Sequence, residues 1–437
     1  MEKLMTYIRY KFILIIIVLF VLLFSDNVNG IMLRGYFPIS QGRFWNFVQS
    51  KDNSISTWAI NGTLTLKEVG RVFIMVQDNG TLLCMRDDWQ GLYIYSEYGP
   101  NKYLLPEKPP LFLPSSLKPG VTVKASSTLK VFSDPEGRLN FKDMGRINRE
   151  ITFRLKGFED IEIGSNKFRQ CATVEKTTKE QNSITTEIIW LAPLIGPVKR
   201  VIRSANENIT YTILSYSKPE IKQNQCFSIK DLYPLKSGIT RVYQGHDNNF
   251  WSIITKENES INGVTTTPFA EDTGDIYYYA IDSTGLILPK KFWSAVGGCT
   301  LFHPPDPPVV VLPAILELGS YYSSTSPPRV HAWPSMTLAE DFFTETQYSS
   351  IPLCLENVDV PFGTYKECLK TSLFSISRNF SVRNEKIRVG YIWLAKDVGT
   401  VKEELIDITN YFHPERTNRI DAIRFWKLAD LKKNTMN

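Results

Sequence analysis

Apolar and polar residues alternate over short segments along the whole chain, which is the pattern of β-strands. β-branched and aromatic residues dominate four of these segments, at residues 71–76, 91–98, 209–216 and 275–281. Turn signals separate such runs, as in Asp-Asn-Gly at 78–80, Ser-Thr-Gly at 283–285, and Asn-Gly at 61–62 and at 262–263. Long amphipathic helical patterns are scarce. The pattern therefore predicts a mainly β protein.

The chain carries the same motifs twice, in the same order and about 200 residues apart. The four pairs are "YFPISQG" and "LYPLKSG" (36–42, 232–238), "PPLFLPSSLKPG" and "PPVVVLPAILELG" (109–120, 307–319), "IGSNKFRQC" and "FGTYKEC" (163–171, 362–368), and "EIIWLAPLIGPVKRVI" and "GYIWLAKDVGTVKEEL" (187–202, 390–405). Chance does not preserve both order and spacing at four sites. We therefore predict two tandem copies of one β-rich domain, 31–220 and 221–437, each with its own core.

The duplication decides one ambiguous segment. "RIDAIRFWKLADLKK" at 419–433 has a helix-like pattern, but its position in the second copy matches the strand-like run at 209–216 in the first. We therefore predict a strand there.

The first thirty residues have the composition of a secretory signal. Basic residues Lys3, Arg9 and Lys11 precede an unbroken apolar run of 13 residues at 12–24. This run is shorter than the roughly 20 residues that span a bilayer. We predict a signal peptide at 1–30 and a secreted or extracytoplasmic protein, in the periplasm or at the cell surface. The alternative is an uncleaved anchor, in which case membrane contact occurs only through this segment.

Six cysteines follow the signal: Cys84, Cys171, Cys226, Cys299, Cys354 and Cys368. An extracytoplasmic location permits disulfides, but six cysteines allow 15 pairings and a chain of this size can keep buried thiols free. Both readings stay open. No Cys-x-x-Cys or Cys/His metal spacing occurs.

The repeated Trp-Leu-Ala motif predicts a hairpin in each copy. Gly196 and Gly399 supply a position that tolerates positive φ, and Trp190 and Trp393 are expected to pin the hairpin to the core. Lys199 and Lys402 follow at matched spacing. A ligand-presenting role for these Trp–Lys pairs is the less favoured alternative.

Cys171 and Cys368 occupy equivalent positions and are therefore not expected to pair with each other. Strand alternation predicts that residues 168, 170 and 172 share one face and residues 169, 171 and 173 the other. All four histidines fall in the second copy, so no duplicated Cys–His pair exists. We therefore predict a structural role for both cysteines.

Composition and motifs restrict the function further. Among 437 residues, 43% are hydrophobic and 22% charged, which fits a globular protein, and a net charge of +5 gives no support to nucleic-acid binding. Hydrolase, metalloprotease, phosphate-loop and dinucleotide motifs are absent. We expect no enzymatic activity and no cofactor.

The tyrosine-proline start, the Gly-x-aromatic-x-x-Cys middle and the Trp-x-Ala-x-x-x-Gly-x-Val-Lys end resemble a unit of uncharacterised secreted and lipoprotein-type bacterial proteins. This resemblance implies an extracytoplasmic domain with a strongly curved antiparallel sheet, here in two copies. It brings no activity with it. The second copy departs from the first at Lys396-Asp397, where the first has Pro193-Leu194.

Three functions follow as hypotheses. The first is a non-enzymatic binding or structural module of the cell envelope, whose partner is an envelope component or a glycan that aromatic runs such as 277–279 could contact. The second is a carrier of a lipid or other apolar ligand in a curved-sheet groove. The third is an unrecognised extracytoplasmic hydrolase.

Overall fold

A computed structural model describes residues 31–66, 69–78, 80–99, 102–133, 142–205, 207–216, 225–245, 248–294, 299–302, 308–333, 336–379, 384–411 and 419–433. The predicted signal segment and the predicted domain boundary at 220/221 lie outside the described residues. Most of the described chain is antiparallel β-strand, as predicted.

The strands of the first half surround one core. They are β1 (Ile31–Met32), β2 (Arg43–Gln49), β3 (Ile55–Leu66), β4 (Gly70–Gln77), β5 (Leu82–Asp87), β6 (Gly91–Tyr98), β7 (Lys102–Pro106), β8 (Leu111–Pro114), β9 (Ser116–Leu117), β10 (Thr122–Ser133), β11 (Lys142–Ile163), β12 (Asn166–Glu180), β13 (Ser183–Ala192), β14 (Gly196–Arg203) and β15 (Asn208–Tyr216). A 3-10 turn at Leu33–Gly35 follows β1.

The second half repeats this set. Its strands are β16 (Cys226–Ser228), β17 (Ile239–Gly245), β18 (Phe250–Thr255), β19 (Glu259–Ile261), β20 (Val264–Glu271), β21 (Ile276–Ile281), β22 (Gly285–Trp293), β23 (Cys299–Phe302), β24 (Val310–Pro313), β25 (Ile315–Glu317), β26 (Tyr322–Trp333), β27 (Met336–Val360), β28 (Gly363–Asn379), β29 (Asn384–Ala395), β30 (Gly399–Tyr411) and β31 (Arg419–Lys433). The short helix α1 (Ile229–Leu232) takes the place of the 3-10 turn. No part of the chain that the structure describes forms an apolar helix of membrane-spanning length.

Each half closes into a ring of strands. In ring 1 the order β5-β4-β3-β2-β15-β14-β13-β12-β11-β10-β7-β6 closes through a β5–β6 pairing. In ring 2 the order β18-β17-β31-β30-β29-β28-β27-β26-β23-β22-β21-β20 closes through β18–β20. Followed around the ring from β2 and from β17, the two orders match strand for strand. The predicted duplication into tandem, strongly curved antiparallel sheets is therefore confirmed.

Side chains that alternate inward fill each ring. Trp45, Phe47 and Trp58 belong to the core of ring 1 together with Phe153 and Leu191. Outward-facing residues of β2 to β4 pack instead against ring 2, where Phe44, Ile74 and Val76 share one buried cluster with Phe374 and Tyr391. The two rings are therefore joined by a common apolar core.

Polar groups reinforce this contact between the rings. The Tyr391 hydroxyl donates to the Val76 carbonyl at 2.8 Å, and Asn46 Nδ2 donates to the Leu353 carbonyl at 3.1 Å. Lys370, which is 2% exposed, forms an ion pair of 2.7 Å with Asp78. Ring 2 thus satisfies buried polar groups of ring 1 across the contact.

Three local predictions can be checked. The segment 419–433 is a strand, β31, as the duplication predicted. The prediction of a turn at Asn61-Gly62 is wrong, because β3 runs through both residues with a bulge between Ile60 and Gly62. The bulge places Gly62 against ring 2, and this contact overrides the local turn preference.

The predicted alternation across 168–173 is also wrong. A register shift lies opposite this segment, and Gln170 has φ 54°. Phe168, Cys171 and Ala172 are consequently all buried in the core of ring 1. The bulge inserts extra residues, which moves Cys171 to the side that alternation had assigned to Phe168.

Candidate ligand-binding cavity in the second ring

A cavity of about 90 Å³ lies inside ring 2, near the β17 to β21 wall. The side chains around it are mainly aromatic and charged: Tyr233, Arg241, Tyr243, Trp251, Ile253, Phe269, Glu271, Tyr277, Tyr279, Arg388, Gly399, Thr400 and Glu403. A volume of this size holds a few water molecules or part of a small polar ligand.

Arg241 is the central cation of the cavity. Its side chain is buried, with a residue exposure of 3%, and its Nε and Nη2 donate to the Val398 carbonyl at 3.2 and 3.1 Å. Its Nη1 atom is buried and has no hydrogen-bond partner in the protein. A buried guanidinium N–H without an acceptor is costly, so this atom is suited to bind an acceptor from a ligand.

Acidic groups face the same space. Glu271 is 8% exposed and accepts a hydrogen bond from Thr273 Oγ1 at 3.1 Å. Glu403 lines the cavity from β30. Carboxylates accept hydrogen bonds only, so together with Arg241 they offer sites for both hydroxyl donors and acceptors on a ligand.

A second arginine is held by its own partner. Arg388 forms two hydrogen bonds with Asp407, at 2.8 and 3.0 Å. Burial alone would lower the pKa of Arg388, but the charge and hydrogen bonds of Asp407 raise it well above its usual range. Arg388 is therefore a charged lining residue whose side chain is held in place by Asp407.

Aromatic rings complete the enclosure. Tyr233 lies 5.8 Å from Phe269, Phe269 lies 5.3 Å from Tyr279, and Tyr279 stacks on Tyr277 at 6.0 Å between centroids. Burial raises the pKa of Tyr233 to about 12. Its hydroxyl therefore stays protonated at neutral pH and can donate a hydrogen bond.

The equivalent positions of ring 1 are mostly apolar. Register against the neighbouring strands matches Arg241, Tyr243, Tyr277 and Tyr279 to Trp45, Phe47, Leu83 and Met85 in ring 1. Glu271 matches Gln77, and Glu403 matches Arg200. In ring 1 the space is filled, because Arg200 stacks on Trp58 at 3.9 Å and pairs with Glu187 at 2.6 Å. Ring 2 thus carries Arg241 and three tyrosines at positions where ring 1 packs apolar side chains.

The residues that the repeat singled out lie in the two hairpins. In ring 1, Trp190 Nε1 donates to Glu159 at 2.5 Å, and Lys199 Nζ lies 4.8 Å from the Trp190 ring centroid. In ring 2, Trp393 donates to Glu356 and Lys402 lies 4.1 Å from the indole. Both lysines therefore form cation–π contacts with the tryptophan of their own hairpin.

The hairpin glycines adopt the predicted positive φ, 107° at Gly196 and 98° at Gly399. Gly399 also borders the cavity, through its contact with Arg241. The Trp–Lys pairs do not line the cavity.

The cysteines hold no catalytic arrangement among the described residues. Cys171 and Cys368 are buried free thiols, each 3.6 Å from a carbonyl oxygen three residues earlier. Burial raises the pKa of each thiol to about 11. Five described cysteines are unpaired, and no metal-binding cluster occurs in the part of the chain that the structure describes. The side chains of Cys299 and of the four histidines lie outside that part.

Sequence reasoning named Gly399 and the aromatic run 277–279, of which Tyr277 and Tyr279 line the cavity, but it missed the charged residues of the cavity floor on other strands. No motif marks Arg241 or Glu271. A signal existed, because aligning "QGRFWNF" with "SGITRVY" places Arg241 against Trp45. Only the registered sheets show that these positions face inward.

Comparisons with known proteins add little. No family model and no curated protein matches the chain. A "putative lipoprotein" of known structure from Parabacteroides distasonis is similar to part of it, with 12% identity, coverage of 41% of this chain and 97% of that chain, and a TM-score of 0.24. This score is too low to support a conclusion about fold or function.

Proposed function

We propose that the protein is a non-enzymatic binding protein of the cell envelope or exterior, and that ring 2 holds the ligand. The single observation that carries this proposal is the replacement of apolar inward residues of ring 1 by Arg241 and three tyrosines in ring 2, beside the buried carboxylate of Glu271. Buried polar groups lower stability unless they are paired, so their accumulation at one site favours a functional reason.

The chemistry of the cavity favours a small hydroxyl-rich ligand, such as a sugar unit of a glycan. Aromatic rings present flat apolar faces, while Glu271 and Glu403 accept hydrogen bonds and Arg241 donates one. A lipid has less support as the ligand of this cavity, since charged groups border a space of only about 90 Å³. The extracytoplasmic location rests on the signal-like segment at 1–30.

The test is calorimetric titration of the full chain with a panel of monosaccharides and short glycans. Glu271→Gln and Tyr277→Leu introduce the residues that ring 1 carries at the same positions. We expect each variant to weaken binding about tenfold or more, the equivalent of ~1.4 kcal/mol, by removing one polar contact. Trp190→Phe, which lies outside the cavity, is the matched control and should bind as the wild type does.

Binding that is unchanged in both cavity variants would contradict the assignment of the site. Release of a reducing sugar from the glycan panel, lost in Glu403→Gln, would instead favour the hydrolase.

A further inference from the structure

Ring 1 exposes three large apolar side chains at the end where the described chain begins. Met32 is 62% exposed, Trp89 81% and Leu194 73%. They lie on three separate segments: β1, the β5–β6 turn and the β13–β14 turn. We call these three residues the apolar tip.

Backbone hydrogen bonds link the three segments directly. Leu33 N donates to the Ser115 carbonyl at 2.7 Å, and Ser115 N donates to the Gln90 carbonyl at 2.8 Å, next to Trp89. Leu194 N donates to the Gly35 carbonyl at 2.7 Å. The apolar tip is therefore one local surface and not three unrelated exposures.

Ring 2 has the same backbone network without the apolar side chains. Ile229 N donates to the Ala314 carbonyl, Ala314 N to the Thr284 carbonyl, and Asp397 N to the Asp231 carbonyl. This correspondence matches Met32 with Ser228, Trp89 with Ser283 and Leu194 with Asp397. The exchange is not complete, because Ile315, 51% exposed, replaces Ser116.

The ring that exposes these apolar side chains is also the ring next to the N-terminal segment. The apolar run at 12–24 precedes ring 1 only, and Met32 lies eight positions after Phe24. Fully extended, eight residues span roughly 28 Å, so a membrane that holds the apolar run lies within reach of the tip. Exposed Arg34 and Lys118 flank the tip, with Arg34 paired to Asp87 at 2.6 Å.

We propose that the N-terminal segment is retained as an anchor, the alternative to the predicted signal peptide, and that the apolar tip rests in the interfacial layer of a lipid bilayer, next to the point where this segment enters it. Tryptophan prefers this layer, and Leu194 and Met32 add apolar area beside it. The proposal orients ring 1 toward the membrane and does not depend on the ligand of ring 2.

The experiment compares labels at two matched positions of the full chain. Cys226, which is exposed, and Cys299 are first replaced by serine. A polarity-sensitive fluorophore is then attached at Trp89→Cys or at Ser283→Cys, its counterpart in ring 2. Each protein is reconstituted into vesicles of phosphatidylethanolamine and phosphatidylglycerol, with or without lipids brominated near the headgroup.

We expect a blue shift and loss of emission in brominated vesicles for the label at 89, and neither for the label at 283. Adding Met32→Ser and Leu194→Asp, the ring 2 residues, should reduce the loss at 89. Equal quenching at both positions, or none at 89, would overturn the proposal. A blue shift at 89 without quenching would show that the chain's own N-terminal segment covers the tip, which also overturns it.

Discussion

Trp45 and Arg241 perform the same local task with different chemistry. Trp45 Nε1 donates to the Ile195 carbonyl at 2.7 Å, and Arg241 donates to the equivalent Val398 carbonyl. Each bond fixes the hairpin turn to β2 or β17, from which the hairpin is separated by one strand of the ring. The indole fills the space that it enters, whereas the guanidinium leaves Nη1 without a partner. The same hydrogen bond thus belongs to a packing site in ring 1 and, together with the neighbouring tyrosines, to a candidate binding site in ring 2.

The two hairpin glycines should respond differently to alanine. At Gly196 a Cβ atom would lie 2.6 Å from Trp45 Nε1, and φ is 107°. At Gly399 the closest side-chain atom is 3.8 Å away, and φ is 98°. Gly196→Ala therefore adds a steric clash to the backbone strain and should cost about 3 kcal/mol, whereas Gly399→Ala should cost about 1 kcal/mol.

Urea unfolding followed by far-UV circular dichroism measures both costs. Gly120→Ala, at a surface turn with positive φ and open space around the new Cβ, controls for backbone strain alone. Equal losses of unfolding free energy in the two variants would show that Trp45 moves away from the new methyl group without a cost in stability.

At the scale of elements, the sequence predicted strands and hairpins well where the repeat constrained them. The strand β31 has a helix-like pattern, yet its place in the copy identified it correctly. The failures have physical causes: β3 passes through Asn61-Gly62 because Gly62 contacts the other ring, and a bulge at Gln170 reverses the face of Cys171. Alternation cannot show a bulge, since the extra residue leaves no mark in composition.

The same Trp–Lys hairpin has different neighbours in the two rings. We therefore expect its tryptophan to contribute different amounts to the stability of the fold. Trp393 is 2% exposed, and Lys370 and Lys402 both lie within about 5 Å of its ring centroid. Trp190 is only partly buried. Trp393→Ala should therefore cost about 4 kcal/mol, and Trp190→Ala about 1–2 kcal/mol.

Chemical denaturation of the two variants checks this order, with Trp89→Ala as a control for an exposed tryptophan that should cost within about 0.5 kcal/mol. A larger loss for Trp190→Ala than for Trp393→Ala would mean that the ring contact contributes little.

At the scale of the whole molecule, the duplicated faces have diverged. On the outer face of ring 2, Phe374 and Val389 are buried by ring 1. Their ring 1 counterparts are Thr177 and Thr186, which remain partly exposed. Ring 1 thus presents a polar face where ring 2 presents an apolar one. The two faces are therefore not interchangeable, and this contact uses the apolar face of ring 2.

Neither ring closure nor this contact could be predicted from the sequence. Closure depends on the β5–β6 and β18–β20 pairings, and strand alternation does not specify which strands pair. The ring contact depends on outward residues such as Phe374, whose alternation pattern equals that of an inward one. The binding cavity was hidden for the same reason, because its residues are scattered over several strands.

The ring contact can be tested where it is tightest. A Cβ atom at Gly62 would lie 2.4 Å from the Phe374 ring, so Gly62→Ala should lower the free energy of unfolding by about 3 kcal/mol. Phe374→Leu should cost about 1.5 kcal/mol alone. The loss in the double variant should be smaller than the sum of the two single losses by about 1 kcal/mol or more, because the smaller side chain makes room for the methyl group. Gly35→Ala, with nothing near its Cβ, should be neutral in the same urea titrations. Additive losses in the cycle would mean that Gly62 and Phe374 do not meet, and that the rings are joined in another way.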